Sequence, residues 1–196
     1  MKGVRIMTPR RAAAAAGMAA ATAGLAWVLF VGLPRWAGGR TSSPAAAAAG
    51  AEAPALRKIK AHLFYVAESG DRLTSVERDV LYGESTAEQA RAIIEAQLAP
   101  VEAPLLSAIP PGTALRALFV TPQGQAYLDL SGEVSKAHPG GSLNEQLTIY
   151  ALVDALTANL PAISEVQLLI DGQEVNTLAG HIDLKRPLVK NLALVE

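Results

Sequence analysis

Between Arg11 and Arg35 the chain carries no charged residue. A helix over this run, residues 12–34, reaches about 35 Å at 1.5 Å per residue, which is enough to cross the hydrocarbon core of a bilayer. A segment of this kind either stays in a membrane or directs the downstream chain across one. Its hydrophobic drive is uneven. The first half is mostly alanine and glycine, whereas Leu25, Trp27, Val28, Leu29, Phe30, Val31 and Leu33 supply most of the apolar surface. Trp27 or Trp36 suits the membrane–water interface. Lys2, Arg5, Arg10 and Arg11 cluster ahead of the run. The positive-inside rule therefore places residues 1–11 in the cytoplasm and everything after Arg35 on the far side.

Two readings of this segment stand. In the first it is a retained signal-anchor and transmembrane helix, which makes the chain a single-pass protein of the cell (inner) membrane with an extracytoplasmic or periplasmic domain. In the second it is a cleaved signal peptide, with residues 25–33 as its hydrophobic region and cleavage near Ala37-Gly38 or further along the alanine run. The Arg10-Arg11 pair is followed by plain alanines and makes a weak twin-arginine signal. Both readings export the domain.

Residues 35–56 form a linker, and within it residues 38–54 read GGRTSSPAAAAAGAEAP, with almost nothing to pack. The five alanines at 45–49 are too few for a stable isolated helix. The remaining 57–196 are long enough to bury a real core. From Arg57 onward there are 11 Lys and Arg against 17 Asp and Glu, a net charge of −6. That balance has no footprint for nucleic acid, which requires clustered cations to displace counterions from phosphates. The chain has no cysteine. Disulfides, thiolate metal sites, a cysteine nucleophile and a lipid-modified N-terminal cysteine are thereby excluded.

Alternation begins at Ile59. Ile59, Ala61, Leu63 and Tyr65 predict one face of a strand, with Lys60 and His62 on the other. After a Ser69-Gly70-Asp71 turn a second strand is predicted over 74–82. A capping box from Thr86 to Gln89 predicts a helix whose stripe is Ala90, Ile93, Ile94 and Leu98, ended by Pro100. Ile109-Pro110-Pro111-Gly112 predicts a rigid turn, followed by strands over 114–121 and 125–130. A second box, Ser142 to Glu145, predicts a longer helix to about Asn159, with Ile149, Leu152, Val153, Leu156 and Leu160 facing the core. Strands over 165–170 and 173–177 flank the Asp171-Gly172 hairpin turn. The predicted class is α+β: a mixed sheet in β-β-α-β-β-α-β-β order with both helices on one face.

Few residues here assemble into chemistry. The histidines are His62, His138 and His181, and no Gly-x-Ser-x-Gly elbow accompanies any serine. Asp129, Ser131, Ser142, His181 and Asp183 assemble into a hydrolytic set only on paper. Their structural readings are Ser142 as a helix cap, Asp129 and Ser131 as a strand-end turn, and His181-Ile182-Asp183 as a brace. His181 with Asp183 is half a metal site, and two ligands do not hold an ion. His62 belongs to the Lys60 side of its strand and reads as surface. The carboxylate pairs Glu77/Asp79 and Asp171/Glu174 lie in charged, turn-like contexts, whereas glycosidic chemistry requires one carboxyl raised by burial. Gly140-Gly141-Ser142 reads as a helix start, without the basic residue or longer glycine pattern of a phosphate loop. No catalytic, cofactor-binding or metal-binding residue is assigned.

Several pieces together resemble the GerMN family, named from a bacterial spore-germination and sporulation protein. They are Ser107-Ala108-Ile109-Pro110-Pro111-Gly112-Thr113, Tyr127-Leu128-Asp129-Leu130-Ser131, Gly140-Gly141-Ser142 with Glu145, and Leu169-Ile170-Asp171-Gly172 through Leu178-Ala179-Gly180-His181-Ile182-Asp183 to Pro187. They run in the family's order over roughly 59–187. The resemblance implies a non-enzymatic envelope module held behind a lipid anchor or membrane helix, similar in fold to ring-building domains of secretion systems. This chain departs from the founding protein in having one copy of the domain and no lipidated cysteine. The expectation is a membrane-tethered extracytoplasmic module for protein interaction or assembly, with an envelope protein or another copy as partner and no cofactor. Alternatives are a cell-wall or small-ligand binding module, and a weak hydrolase using Ser142 and His181.

Overall fold

The alternation at Ile59 produces β1, Lys58–Val66, which pairs antiparallel with β2, Leu73–Leu81, in unbroken register from Lys58 opposite Leu81 to Val66 opposite Leu73. The computed structural model describes residues 57–196. The basic N-terminus, the transmembrane helix and the linker expected over 1–11, 12–34 and 35–56 lie outside the described residues. Among the described residues no helix is long and apolar enough to cross a membrane.

After β2 the chain forms α1 (Thr86–Leu98), β3 (Leu115–Val120), β4 (Gln125–Leu130), a one-turn α2 (Glu133–Lys136), α3 (Ser142–Thr157), β5 (Glu165–Ile170) and two short strands, β6 (Gln173–Glu174) and β7 (Leu188–Val189). A 3-10 turn at Leu192–Leu194 ends the chain. The α+β class holds, but the single mixed sheet does not. β1 and β2 form a ribbon of their own, and β3, β4, β5 and β6 form a second sheet in that order, with β7 also on β5.

The physical reason for the split lies on the outer edge of β1. There the Asn159 amide takes both main-chain groups of His62, accepting from its N–H at 2.8 Å and donating to its carbonyl at 2.7 Å. Gln97 does the same to Phe64 at 2.8 and 2.7 Å. The Val66 N–H donates to Leu106 O at 2.8 Å. With three successive outward positions satisfied, no strand of the second sheet can continue the ribbon.

In the second sheet β4 pairs antiparallel with β3 and parallel with β5, the parallel crossover being made by α3. β4 occupies one edge of β5 along its length, so β6 and β7 share the other edge at its two ends. The turn into β6 has Asp171 at φ 51° and Gly172 at φ 78°, both left-handed as a two-residue hairpin requires. β6 is shorter than the predicted 173–177 because the chain leaves the sheet to make the loop that carries Leu178 to His181.

Both long helices touch each other and both sheets. Their buried stripes are Ala90, Ile93 and Ile94 on α1, and Ile149, Leu152, Val153 and Leu156 on α3. These meet Leu63 and Tyr65 of the ribbon and Leu118, Leu128, Leu130, Val166 and Leu168 of the sheet in one core.

The predicted caps move. α1 is capped by Ser85, whose hydroxyl accepts from Glu88 N while the Glu88 carboxylate accepts from Ser85 N; Gln89 is buried instead. A carboxylate is the better acceptor at a positive helix end. Gln89 closes the preceding turn, accepting from Gly83 N and donating to Leu81 O. The chain passes so close there that a Cβ on Gly83 would lie 2.4 Å from Gln89 N.

The second box does not form at all. α3 starts from Gly141 without a side-chain cap, Ser142 is its exposed first residue, and Glu145 turns inward.

Candidate functional site

Glu145 lies on the first turn of α3 with 0% exposure. Its Oε1 accepts from Leu178 N at 2.9 Å and Ala179 N at 2.8 Å, and its Oε2 accepts from His181 N at 2.8 Å and His181 Nδ1 at 3.1 Å. A carboxylate has about four lone-pair sites, and all are occupied. Burial by itself would raise the Glu145 carboxyl. The amides of Ala179, His181, Ile182 and Leu178 together outweigh it and hold the carboxyl below its usual value of 4.5. Four donors on the loop outbid the single N-cap amide that a capping box would have offered, which is why the predicted box fails.

This clamp joins Gly140-Gly141-Ser142-x-x-Glu145 to Leu178-Ala179-Gly180-His181. Two of the motifs singled out in the sequence meet here, although more than thirty residues separate them. The clamp also shapes the rest of the loop. Leu178 and Leu184 are driven into the core, and Leu184 O accepts from the buried Gln167 amide at 2.8 Å on the β5 edge that β6 and β7 leave open.

His181 Nδ1 donates to Glu145, which leaves Nε2 on the partly exposed side of the ring. That is the orienting half of a catalytic triad. Ser142 stands one turn before Glu145 but enters no side-chain hydrogen bond among the described residues. Asp183 turns away and accepts from Lys185 N at 3.0 Å.

His138 belongs to a separate brace. Its Nδ1 accepts from Gly140 N at 2.9 Å, which makes Nε2 the donor to Thr148 Oγ1 at 3.2 Å, and that hydroxyl donates to Ala108 O at 2.6 Å. This chain of bonds ties the helix start to the Ser107–Thr113 motif.

The Tyr127–Ser131 motif is likewise structural. Asp129 Oδ1 accepts from Gly172 N at 2.8 Å and its Oδ2 pairs with Arg116 Nε at 3.2 Å, while Arg116 Nη1 reaches Asp171 at 3.2 Å. Ser131 Oγ accepts from Ala114 N at 3.0 Å, and its hydroxyl donates to Glu133, which holds that carboxyl below its usual value.

His62 is exposed, as its strand position predicts, with Nδ1 3.2 Å from Ser75 Oγ. Glu77 and Asp79 both face Lys60, at 3.7 and 2.9 Å, with side chains 54% and 52% exposed, and the Lys60 ammonium holds the Asp79 carboxyl below its usual value. Glu174 is exposed. Among the described residues no three His, Asp or Glu are grouped to hold a metal.

Sequence reasoning did not single out Phe119. It points away from the helices on β3, directly opposite Tyr127 on β4, and is 64% exposed. Its neighbour Leu118 is buried on the other face. β3 is the end strand of its sheet, and Phe119 therefore stands beside a strand edge that no other strand occupies among the described residues. The signal was present as Leu118-Phe119-Val120, a run too apolar for a strand with one wet face.

A family model described as Germane: Sporulation and spore germination matches residues 62–176. No curated protein matches the chain. Among solved structures, the first GerMN domain of the sporulation protein GerM from Bacillus subtilis is 19% identical, with 68% of this chain and 98% of that chain covered at a TM-score of 0.52. The tandem GerMN domains of the same protein are also 19% identical and cover 68% of this chain, at a TM-score of 0.54. This chain spans 46% of that tandem. At these identities the likeness is one of fold.

Proposed function

The chain belongs to the sporulation and spore germination family described as Germane, and on that premise we propose that it is a non-enzymatic, membrane-tethered extracytoplasmic module that acts in protein interaction or assembly of an envelope complex. The observation that carries this reading is the uncovered sheet face at Phe119 and Tyr127, beside the free edge of β3. A large aromatic side chain left 64% exposed next to unpaired main-chain groups is the kind of surface that a second protein covers. The motif residues support the non-enzymatic part. Glu145, Asp129 and Ser131 each hold main-chain amides, and the buried groups nearest to chemistry are structural braces.

The extracytoplasmic placement rests on the uncharged run at 12–34 and the basic residues before it. The test is crosslinking of the full-length chain in its membrane, followed by detergent extraction and light scattering. A stoichiometric second protein or a closed oligomer supports the reading. A monomer without crosslinked partner at high concentration sinks it.

A further inference from the structure

Asp154 is a buried carboxylate that its surroundings do not satisfy. It lies on α3 with 0% exposure, and its Oδ1 accepts from Asn191 N at 2.9 Å. Its Oδ2 has no hydrogen-bond partner among the described residues and essentially no surface open to a water molecule. Glu145, equally buried on the same helix, is held by the amides and ring of the 178–181 loop. A carboxylate with one amide donor in such a place is costly to ionise, and burial pushes the Asp154 carboxyl above its usual value of 3.8.

The 190–196 segment packs on α3 at this point, and it is a thin cover. Lys190, Leu192 and Ala193 are exposed on its outer side. Between it and the ribbon lies a cleft of about 420 Å³, bounded by His62, Phe64 and Ser75 of the ribbon, Ala158 just past α3, and Leu192 and Val195 of the segment. Its fastenings are few. Besides the Asn191 bond, Arg72 Nη1 donates to Ala193 O at 3.2 Å, and Glu196 N donates to Leu73 O at 2.9 Å, where Val195 lies along the outer edge of β2. A segment with few bonds and an unfilled cleft behind it opens locally at low cost.

The charges around Asp154 leave it without a strong counter-ion. On α3 itself Tyr150 stands one turn back, and Glu145 is taken by its own loop. On α1 Arg91 and Glu95 pair with each other at 3.8 Å. β1 brings His62 to the cleft, and β5 carries Glu165 opposite Val189. Arg72 and Glu196 belong to the far end of the segment, at Leu73. Of all these groups only the exposed Lys190 draws Asp154 towards its charged form, and burial outweighs it.

We propose that residues 190–196 form a pH-sensitive strap, which closes over α3 while Asp154 is neutral and lifts away when Asp154 ionises. Lifting gives both carboxylate oxygens access to water, and it uncovers Phe64 and the main-chain groups of Leu73 on the outer edge of β2. Because the closed state raises the carboxyl, the strap is most favoured below the open value of 3.8 and loosens as pH rises through the closed one. This inference is independent of the assembly reading, which concerns the second sheet, and either can fail alone.

The test is amide hydrogen exchange of the full-length chain in detergent, from about pH 4 to about pH 8, corrected for the intrinsic dependence of exchange on pH. Protection over 190–196 falls at least about tenfold across that range, the equivalent of one unit of pKa shift, while protection of β4 and β5 stays constant. Asp154→Asn keeps the acceptor for Asn191 N and cannot ionise, so its strap stays closed and its protection is flat with pH. Lys190→Gln removes the attracting cation and extends the loss to higher pH. Protection that is independent of pH in the unaltered chain overturns the proposal, as does a fall that persists unchanged in Asp154→Asn. Should that variant fail to fold, the carboxyl carbon resonance of Asp154 in the unaltered chain decides the matter. A midpoint above 3.8 that coincides with the loss of protection supports the strap, and a midpoint at or below 3.8 overturns it.

Discussion

Glu145 and Asp154 occupy the same helix, both with 0% exposure, and their carboxyls are shifted in opposite directions. Glu145 is saturated by loop donors and lowered. Asp154 is raised by burial: its Oδ1 accepts from Asn191 N at 2.9 Å, but Oδ2 has no partner. The consequences for stability are opposite in sign. The lowered Glu145 contributes stability that is fully present above its unfolded value of 4.5 and is lost as pH falls through its folded value below that. The raised Asp154 is most favourable below its unfolded value of 3.8, and that advantage is lost as pH rises through its folded value. Two substitutions therefore move stability in opposite senses. Glu145→Gln places an NH₂ against the His181 donors and costs about 3 kcal/mol at neutral pH, read by denaturant unfolding together with faster amide exchange over 178–182. Asp154→Asn keeps an acceptor for Asn191 N and removes a buried charge. It raises stability by about 1 kcal/mol at neutral pH, and the gain disappears in acid. A destabilised Asp154→Asn chain at pH 7 would show that the orphaned oxygen has a donor after all.

Among the elements, β1 depends most on groups outside its own sheet. Its apolar face was readable from the alternation at Ile59, Ala61, Leu63 and Tyr65, whereas its register with β2 and the closure of its outer edge were not. Gln97 and Asn159 lie at the ends of two helices and look like ordinary polar residues in the sequence; only the packing of those helices against the ribbon brings their amides to Phe64 and His62. Gln97→Ala leaves a buried N–H and C=O at Phe64 unpaired. The expected loss is about 2 kcal/mol in chemical denaturation, accompanied by aggregation through the opened edge. Unchanged protection of the Phe64 amide in hydrogen exchange would contradict this account. The cap shifts have a similar cause. Both Ser85-x-x-Glu88 and Thr86-x-x-Gln89 satisfy the capping pattern, and the choice between them is made by Gly83, which lets the chain pass against the helix start and claims Gln89 for itself.

For the molecule as a whole, the surface proposed for association is the exposed face of the second sheet at Phe119. If the face at Phe119 serves association as proposed, Phe119→Lys weakens partner capture or self-association by at least about tenfold while leaving the melting temperature nearly unchanged, since the side chain packs against little in the single chain. Light scattering and crosslinking yield side by side check both halves of that statement. The sequence by itself determined the α+β class, the approximate limits of β1 to β5 and of the two long helices, the negative charge of the domain and the resemblance that the family match then established. These are properties of local periodicity and of short motifs, which need no distant partner. Tertiary structure alone decided that the strands divide into two sheets and that Glu145 abandons its cap for the loop at 178–181. Each of these outcomes depends on which donors and acceptors meet after the chain has folded, and a carboxylate or an amide goes to the site offering the most partners, however many residues away that site lies.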